Sequence, residues 1–280
     1  MSERSIKKIL VPTDFTKVAD GALDHAVLLA SHAGAEVYVL HVVAKQEEVE
    51  DARAKLAALV ERAKKNSGGV PIHKLVRIGS IYEDIGDAAT EIDAGLILMG
   101  THGMRGMQFI TGSRALRVIT NSKVPFIVVQ GREIKPGGYD SIVVPLDLHN
   151  ETRQKLTLVA DMAHYFKSKV HLIVPKEKDE FLHKKLENNI TFANHYLNDR
   201  GIEHDAKIAE ESSSDFVDAV IQHAVDVDAD LIAIMNLQSG NIFGVLGVPY
   251  EQEILTNEAQ IPVMLMNPRE TGGGGGWTFQ

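Results

Sequence analysis

The chain repeats itself in order. Ile9-Leu10-Val11-Pro12-Thr13-Asp14-Phe15 returns 133 residues later as Ile142-Val143-Val144-Pro145-Leu146-Asp147-Leu148. Val37-Tyr38-Val39-Leu40 returns at the same offset as Val170-His171-Leu172-Ile173, and Asp93-Ala94-Gly95-Leu96-Ile97 returns at an offset of 135 as Asp228-Ala229-Asp230-Leu231-Ile232. Thr120-Asn121 reappears as Thr256-Asn257, each pair followed shortly by a Pro and an apolar run. Matches that keep their order at a near-constant offset mark a tandem duplication, so the fold of one copy constrains the fold of the other. A length of 280 residues suits two such units. Lys135-Pro136-Gly137-Gly138 separates them, because Pro and paired Gly interrupt helix and strand alike. The expected domains are 1–135 and 139–268, followed by a Gly-rich tail over 269–280. Gly272 to Gly276 have no helix or strand preference and read as a tether, with Trp277 and Phe279 beyond it as a candidate docking tip.

Within each copy, apolar runs of four to six residues alternate with longer stretches of helical period, the pattern of a parallel sheet covered on both faces. In the first copy the strands fall at about 7–12, 37–43, 72–78, 95–100 and 124–130. Ala19, Leu23, Ala26, Val27 and Ala30 form one apolar helix face, and Val49, Ala52, Leu56, Leu59 and Ala63 a second. Ser80-Ile81-Tyr82-Glu83 has the spacing of a capping box, and opens a third helix with Ile85, Ala88, Ala89 and Ile92 inward. The expected fold class is α/β: two tandem open parallel five-stranded sheets with helices on both faces. The last strands, 124–130 and 262–266, are apolar and need cover, so the two copies are expected to pair through them.

Composition narrows the chemistry. With 44% hydrophobic and 24% charged residues the chain can fill real cores. It has no cysteine, which removes disulfides, thiolate metal sites and cysteine nucleophiles. No apolar run reaches membrane-spanning length and Met1-Ser2-Glu3-Arg4 leads into a strand rather than a secretion signal, so the expected location is the cytoplasm. Up to residue 135 there are 18 Lys and Arg against 16 Asp and Glu, and after it 11 against 22, so the net charge of −9 divides as +2 and −11. The acidic second copy disfavours nucleic acid and anionic membranes as partners, and the first copy is the better anion binder. Seven of the 12 histidines lie between 149 and 223, yet no His-x-x-x-His pair falls on a helix, so no metal site is expected. His41, at a strand end beside Val42, reads as a packed or hydrogen-bonded histidine rather than a catalytic base.

The segment that can carry chemistry runs from Met99 to Arg114. It leaves the carboxyl end of a buried strand with Gly100, Gly103, Gly106 and Gly112 and closes in Gly112-Ser113, just before the apolar helix positions Ala115, Leu116, Val118 and Ile119. Glycines let backbone N–H groups approach a ligand, and a helix start offers unpaired N–H groups at the positive end of its dipole, which together suit a phosphate chain. His102, Arg105, Arg114 and Arg117 add donors and charge, and Ser113 either caps the helix or binds a phosphate oxygen. Ligands of open parallel sheets sit beyond the carboxyl ends of the strands where strand order reverses, which points Pro12-Thr13-Asp14 at the same place. Asp14 is open to two readings, a ligand of base or ribose or a cap of the turn. Val42 and Met99 are either ligand contacts or core.

A strand ending Val-Pro-Thr-Asp, a later strand ending Met-Gly-Thr-His-Gly, and Gly-Ser followed by a helix and an apolar strand after Val124-Pro125 resemble the universal stress protein family. The two copies extend the resemblance over about 5–267, as a tandem pair. It implies a Rossmann-like fold of the adenine-nucleotide alpha hydrolase type, usually dimeric, that binds ATP, ADP or AMP, with Mg2+ as a candidate companion. ATP-binding members share Gly, two residues, Gly, nine residues, Gly and then Ser or Thr; here Gly103 and Gly112 are separated by eight. Carried over by motif position, Pro12, Thr13 and Asp14 line the adenine and ribose end, Val42 contacts the base, and Met99, Gly100, Gly103, Gly112, Ser113 and Arg114 wrap ribose and phosphates.

The second copy departs from this pattern. Met235-Asn236-Leu237 stands where Gly-Thr-His-Gly is expected, Val248-Pro249 replaces Gly112-Ser113, Glu251 and Glu253 follow, and Pro175 takes the place of Val42. Pro lacks an N–H to donate and the acidic residues oppose an anion, so phosphate binding is not expected there. Nor does the chain have a Gly-Lys-Ser/Thr phosphate loop for efficient phosphoryl transfer, or a Ser-Gly-Gly loop after its first strand. The expected activity is tight adenine-nucleotide binding with slow or absent hydrolysis in a stress-response or signalling module, with no catalytic residues. The alternative is a nucleotide-free scaffold built on a pseudo-dimer of the two copies. A further homodimer is compatible with either.

Overall fold

A computed structural model describes residues 6–101, 112–148, 153–212, 215–236 and 250–268. The first strands and helices are β1 (Lys8–Pro12), α1 (Lys17–Ala33), β2 (Glu36–Val43), α2 (Val49–Lys64), β3 (Ile72–Ile78), α3 (Ile81–Glu91), β4 (Leu96–Gly100), α4 (Gly112–Thr120) and β5 (Phe126–Val129). The second run is β6 (Ser141–Pro145), α5 (Lys155–Phe166), β7 (Lys169–Lys176), α6 (Glu180–Asn198), β8 (His204–Ser212), α7 (Phe216–Asp226), β9 (Leu231–Met235), α8 (Tyr250–Leu255) and β10 (Val263–Met266). The apolar runs of β1, β4, β5, β6, β7, β9 and β10 become strands buried on both faces, because helices cover the sheet from above and below, whereas the edge strands β3 and β8 are largely exposed.

Among the described residues the strands form one ten-stranded sheet, ordered β3-β2-β1-β4-β5-β10-β9-β6-β7-β8. The order of the first five is repeated in mirror sequence by the last five, with β6 in the place of β1. Every strand pair is parallel except one. At the centre β5 runs antiparallel to β10, with Phe126 opposite Leu265, Ile127 opposite Met264 and Val128 opposite Val263. That ladder covers two edges that would otherwise present unpaired backbone groups.

Side-chain alternation along the strands divides the interior into two layers. Ile9, Val11, Val37 and Val39 point with their second-half counterparts Ile142, Val144, Val170 and Leu172 into a layer closed by α1, α2, α5 and α6. Leu10, Leu40, Ile97, Val143, Ile173 and Ile232 point into the other, closed by α3, α4, α7 and α8. Both layers run across the β5–β10 seam without a break.

Local signals explain the element ends. Thr16 caps α1, its Oγ1 accepting from Ala19 N at 3.4 Å, and Gly34 ends the helix in the left-handed region at φ 63°. At α3 the Ser80 hydroxyl accepts from Tyr82 N, but the returning carboxylate is that of Asp84, which accepts from Ser80 N at 2.7 Å, rather than that of Glu83. The expected capping box is thus shifted by one residue. At the boundary Gly138 takes φ 82° and a Cβ there would meet the Phe166 ring at 2.3 Å, so only glycine fits this turn.

Candidate functional site

The strand order reverses between β1 and β4, since β1 leads through α1 to β2 on one side while α3 delivers β4 to the other. The β1–β4 ladder pairs Ile9 with Leu96 and Leu10 with Ile97. Beyond it β1 stays with β2 as far as Pro12 opposite Leu40, and β4 stays with β5 as far as Gly100 opposite Val129. The strands therefore part at their carboxyl ends, which is where an open parallel sheet makes its crevice.

Pro12, Thr13 and Asp14 form the turn on one lip. Thr13 is buried; its N–H donates to Leu40 O at 2.8 Å and its Oγ1 accepts from Phe15 N at 3.0 Å. Asp14 is exposed, and one oxygen, Oδ1, accepts from both Thr16 N at 3.0 Å and Thr16 Oγ1 at 2.6 Å. Of its two readings, capping of the turn is thus present, and the bonds fall on a single carboxylate oxygen. Phe15 follows at φ 63°, a conformation rare for a bulky residue.

Gly100 forms the other lip, and its lack of a side chain has a packing cause. A Cβ there would lie 2.7 Å from Val18 O and 2.9 Å from Ala19 N, so the first turn of α1 rests directly on the end of β4. The turn after β1 and the end of β4, remote in sequence, are thereby brought into contact. Met99 is buried in the layer under α3 and α4, and Val42 packs against the same layer half-buried. Gly112, Ser113 and Arg114 form the first turn of α4, whose N-terminus carries the positive dipole end at this side of the sheet. Arg117, on the same helix, lies over the Tyr82 ring at 4.4 Å rather than standing free. Gly103, with His102, Arg105 and Gly106, lies outside the described residues, as does the rest of the loop between β4 and α4. A residue less prominent in the sequence joins the site from behind: His41 Nδ1 lies 2.7 Å from Thr13 O, and its ring packs on Phe15 at a centroid distance of 4.5 Å. Nothing in the spacing of His41 identifies this contact, because the partner is 28 residues away and adjacent only through strand pairing.

The second half repeats the frame and fills it differently. Leu146 N donates to Ile173 O at 2.8 Å, as Thr13 N does to Leu40 O. The carbonyls of the turn are held by side chains. Lys155 Nζ donates to Pro145 O, and Asn189 Nδ2 to Asp147 O at 2.8 Å, with Arg153 Nε on Asn189 Oδ1 at 2.9 Å. Burial pulls the Lys155 ammonium down to about 8, against the attraction of Asp147. Pro175, the counterpart of Val42, is buried. Leu237 to Pro249 lie outside the described residues. Among the described residues no cluster of three His, Asp or Glu has metal-binding geometry, and no helix is long and apolar enough to cross a membrane.

Comparison with known proteins follows the same outline. Residues 5–130 match the universal stress protein family. The chain is 32% identical over 148 residues to universal stress protein MJ0531 of Methanocaldococcus jannaschii, covering 46% of this chain and 84% of that protein. It is 28% identical over 153 residues to universal stress protein MJ0577 of the same organism, covering 44% of this chain and 94% of that one. It resembles in fold the crystal structure of a universal stress protein from Archaeoglobus fulgidus, with a TM-score of 0.70 at 16% identity, covering 94% of this chain and 97% of the other.

Proposed function

The chain belongs to the universal stress protein family, and from that premise we propose that residues 1–135 are an adenine-nucleotide-binding domain. Residues 139–268 form, on this reading, a second and diverged domain of the same family, with 269–280 as a tail. The protein acts as a stress-response or signalling module in the cytoplasm that holds ATP, ADP or AMP with slow or no hydrolysis.

One observation carries the reading: the crevice at the β1–β4 switch point is bounded by the Pro12-Thr13-Asp14 turn and Gly100, with the N-terminus of α4 at the same side. These parts fit a nucleotide in kind. The exposed Asp14 carboxylate suits ribose or base donors, Val42 offers an apolar contact for a ring, and the Gly112-Ser113-Arg114 turn with Gly103 supplies amides and charge for phosphates. Met99 and Gly100 contribute backbone, since the one side chain is core and the other is excluded by α1. Where Mg2+ accompanies the nucleotide, it would offset phosphate charge beside the Gly112-Ser113-Arg114 turn. The second half binds no phosphate on this reading, because Val248-Pro249 replaces the Gly112-Ser113 amides and Glu251 and Glu253 oppose an anion. It serves as the first half's fixed partner across the β5–β10 seam, in the place a second subunit takes in a dimer; any further homodimer uses another surface.

The test is mass spectrometry of small molecules released from freshly purified protein, with an ATPase assay beside it. About one adenine nucleotide per chain is expected, lost in Gly112→Asp and in Ser113→Pro, which put a carboxylate or a missing N–H into the first turn of α4. A chain that carries none and binds none when titrated is the scaffold of the alternative reading, and fast metal-dependent turnover would make it an enzyme.

A further inference from the structure

The turn that presents Asp14 is held from behind by one side chain. On β2, Leu40 and Val42 face the layer under α3 and α4, so His41 faces the opposite layer, under α1 and α2. There its Nδ1 lies 2.7 Å from Thr13 O, and because a carbonyl only accepts, Nδ1 carries the proton. The ring also packs on Phe15 at 4.5 Å, and Lys55 Nζ of α2 lies over the Phe15 ring, 6.0 Å from its centroid. Phe15 sits at φ 63°, which an aromatic residue adopts only where its surroundings impose it. Three further bonds, from Phe15 N to Thr13 Oγ1 and from Thr16 N and Oγ1 to Asp14 Oδ1, are internal to the turn and move with it. The bond from Thr13 N to Leu40 O ties the turn to β2 through backbone, and the His41 contact adds a side-chain tie to the same strand. In the second half the corresponding residue is Val174, and the turn carbonyls are held by Lys155 and Asn189 instead.

We propose that His41 is a positioning residue for the nucleotide site: through its Nδ1–H bond to Thr13 O and its ring contact with Phe15 it fixes the turn that aims Asp14 into the crevice, without touching the ligand. This rests on the adenine-nucleotide reading of that crevice. The bond holds the turn in its binding geometry before a ligand arrives, so the ordering cost is met in folding rather than in binding.

The experiment is isothermal titration of the full chain with ATP, for wild type, His41→Leu and His41→Asn, with thermal unfolding of each ligand-free protein. Leu removes the donor and keeps bulk; the Asn amide nitrogen reaches the position of Nδ1. His41→Leu is expected to weaken ATP binding about tenfold, and His41→Asn to recover most of that loss. Wild-type affinity in His41→Leu, or equal losses in both variants, would overturn the proposal, the second because a merely structural role does not distinguish donor from bulk. Imidazole nitrogen shifts of ligand-free wild type provide a second readout: a protonated Nδ1 is expected, and a bare Nδ1 refutes the bond. If wild type binds no ATP, the nucleotide reading fails, and the nitrogen shifts still decide whether the turn is held as described. If His41→Leu does not fold, His41→Asn and the same shifts decide.

Discussion

At Gly100, the atoms that would meet a new Cβ are backbone atoms of Val18 and Ala19, which cannot rotate away. Gly100→Ala is therefore expected to cost about 1–3 kcal/mol in chemical denaturation and to displace the start of α1, whether or not a ligand is present. His25 on α1 is buried between the halves, with Nε2 donating to Arg132 O at 3.2 Å and Nδ1 accepting from the Tyr139 hydroxyl at 2.8 Å. Burial pulls its imidazole down to about 4. Between that value and the ordinary 6.5 the unfolded chain holds a proton that the folded chain does not, so stability falls as pH drops through this window. Urea titrations at pH 7 and pH 5 should differ by roughly 2 kcal/mol more in wild type than in His25→Gln. Lys155 has the same sense of shift at the other end of the scale. From about 8 to 10.5 the folded protein has lost a proton that the unfolded chain keeps, so stability rises with pH. Over pH 8 to 10 the rise should be about 2 kcal/mol larger in wild type than in Lys155→Met.

Helices on either side of the seam are closed by amide side chains from the opposite half. Asn267, just after β10, donates through Nδ2 to Ile119 O at 2.7 Å and Ser122 O at 2.6 Å, ending α4, and its Oδ1 accepts from Asn236 at 2.6 Å. Gln130, just after β5, donates to Asn257 O at 3.3 Å beyond α8. Orphan carbonyls at helix ends need such partners when they are buried. Asn267→Ala is expected to destabilise the chain by about 1–3 kcal/mol, more than Gln130→Ala, because it releases three short bonds rather than one long one; paired denaturation curves would show the order. The periodic patterns made the elements legible. Strand 72–78 falls where β3 does, and Ile85, Ala88 and Ala89 are buried as the spacing requires. The return bond at Ser80 was not legible, because Glu83 and Asp84 both lie within reach and only the rotation of the first turn selects the second.

The molecule is one sheet rather than two beads. Its two apolar layers cross the seam, and the connecting segment is tied down as well: Arg132 and Lys135 reach Asp228 at 3.1 and 2.8 Å, and Lys135 reaches the buried Asp230 at 2.8 Å. Tyr165 of α5 adds a hydrogen bond from Ile6 N at 3.1 Å. With no layer that belongs to one half alone, a single cooperative thermal transition is expected, with calorimetric and van't Hoff enthalpies in agreement. Two resolved transitions would mean that each half folds independently and that the seam adds little.

Duplication, alternation of strands and helices, and the Pro12-Thr13-Asp14 and Gly112-Ser113 motifs are properties of sequence order. They point to the carboxyl end of β1 as the place for a ligand. Two things depended on the tertiary structure. One is why particular residues are what they are: Gly100 because α1 lies on it, Met99 because its side chain fills a core layer, His41 because strand pairing sets it behind Thr13. The other is how the halves meet, edge to edge and antiparallel, with each capping the other's helix. Periodicity reports which face of an element is buried, and says nothing of which remote segment does the burying; that choice belongs to packing.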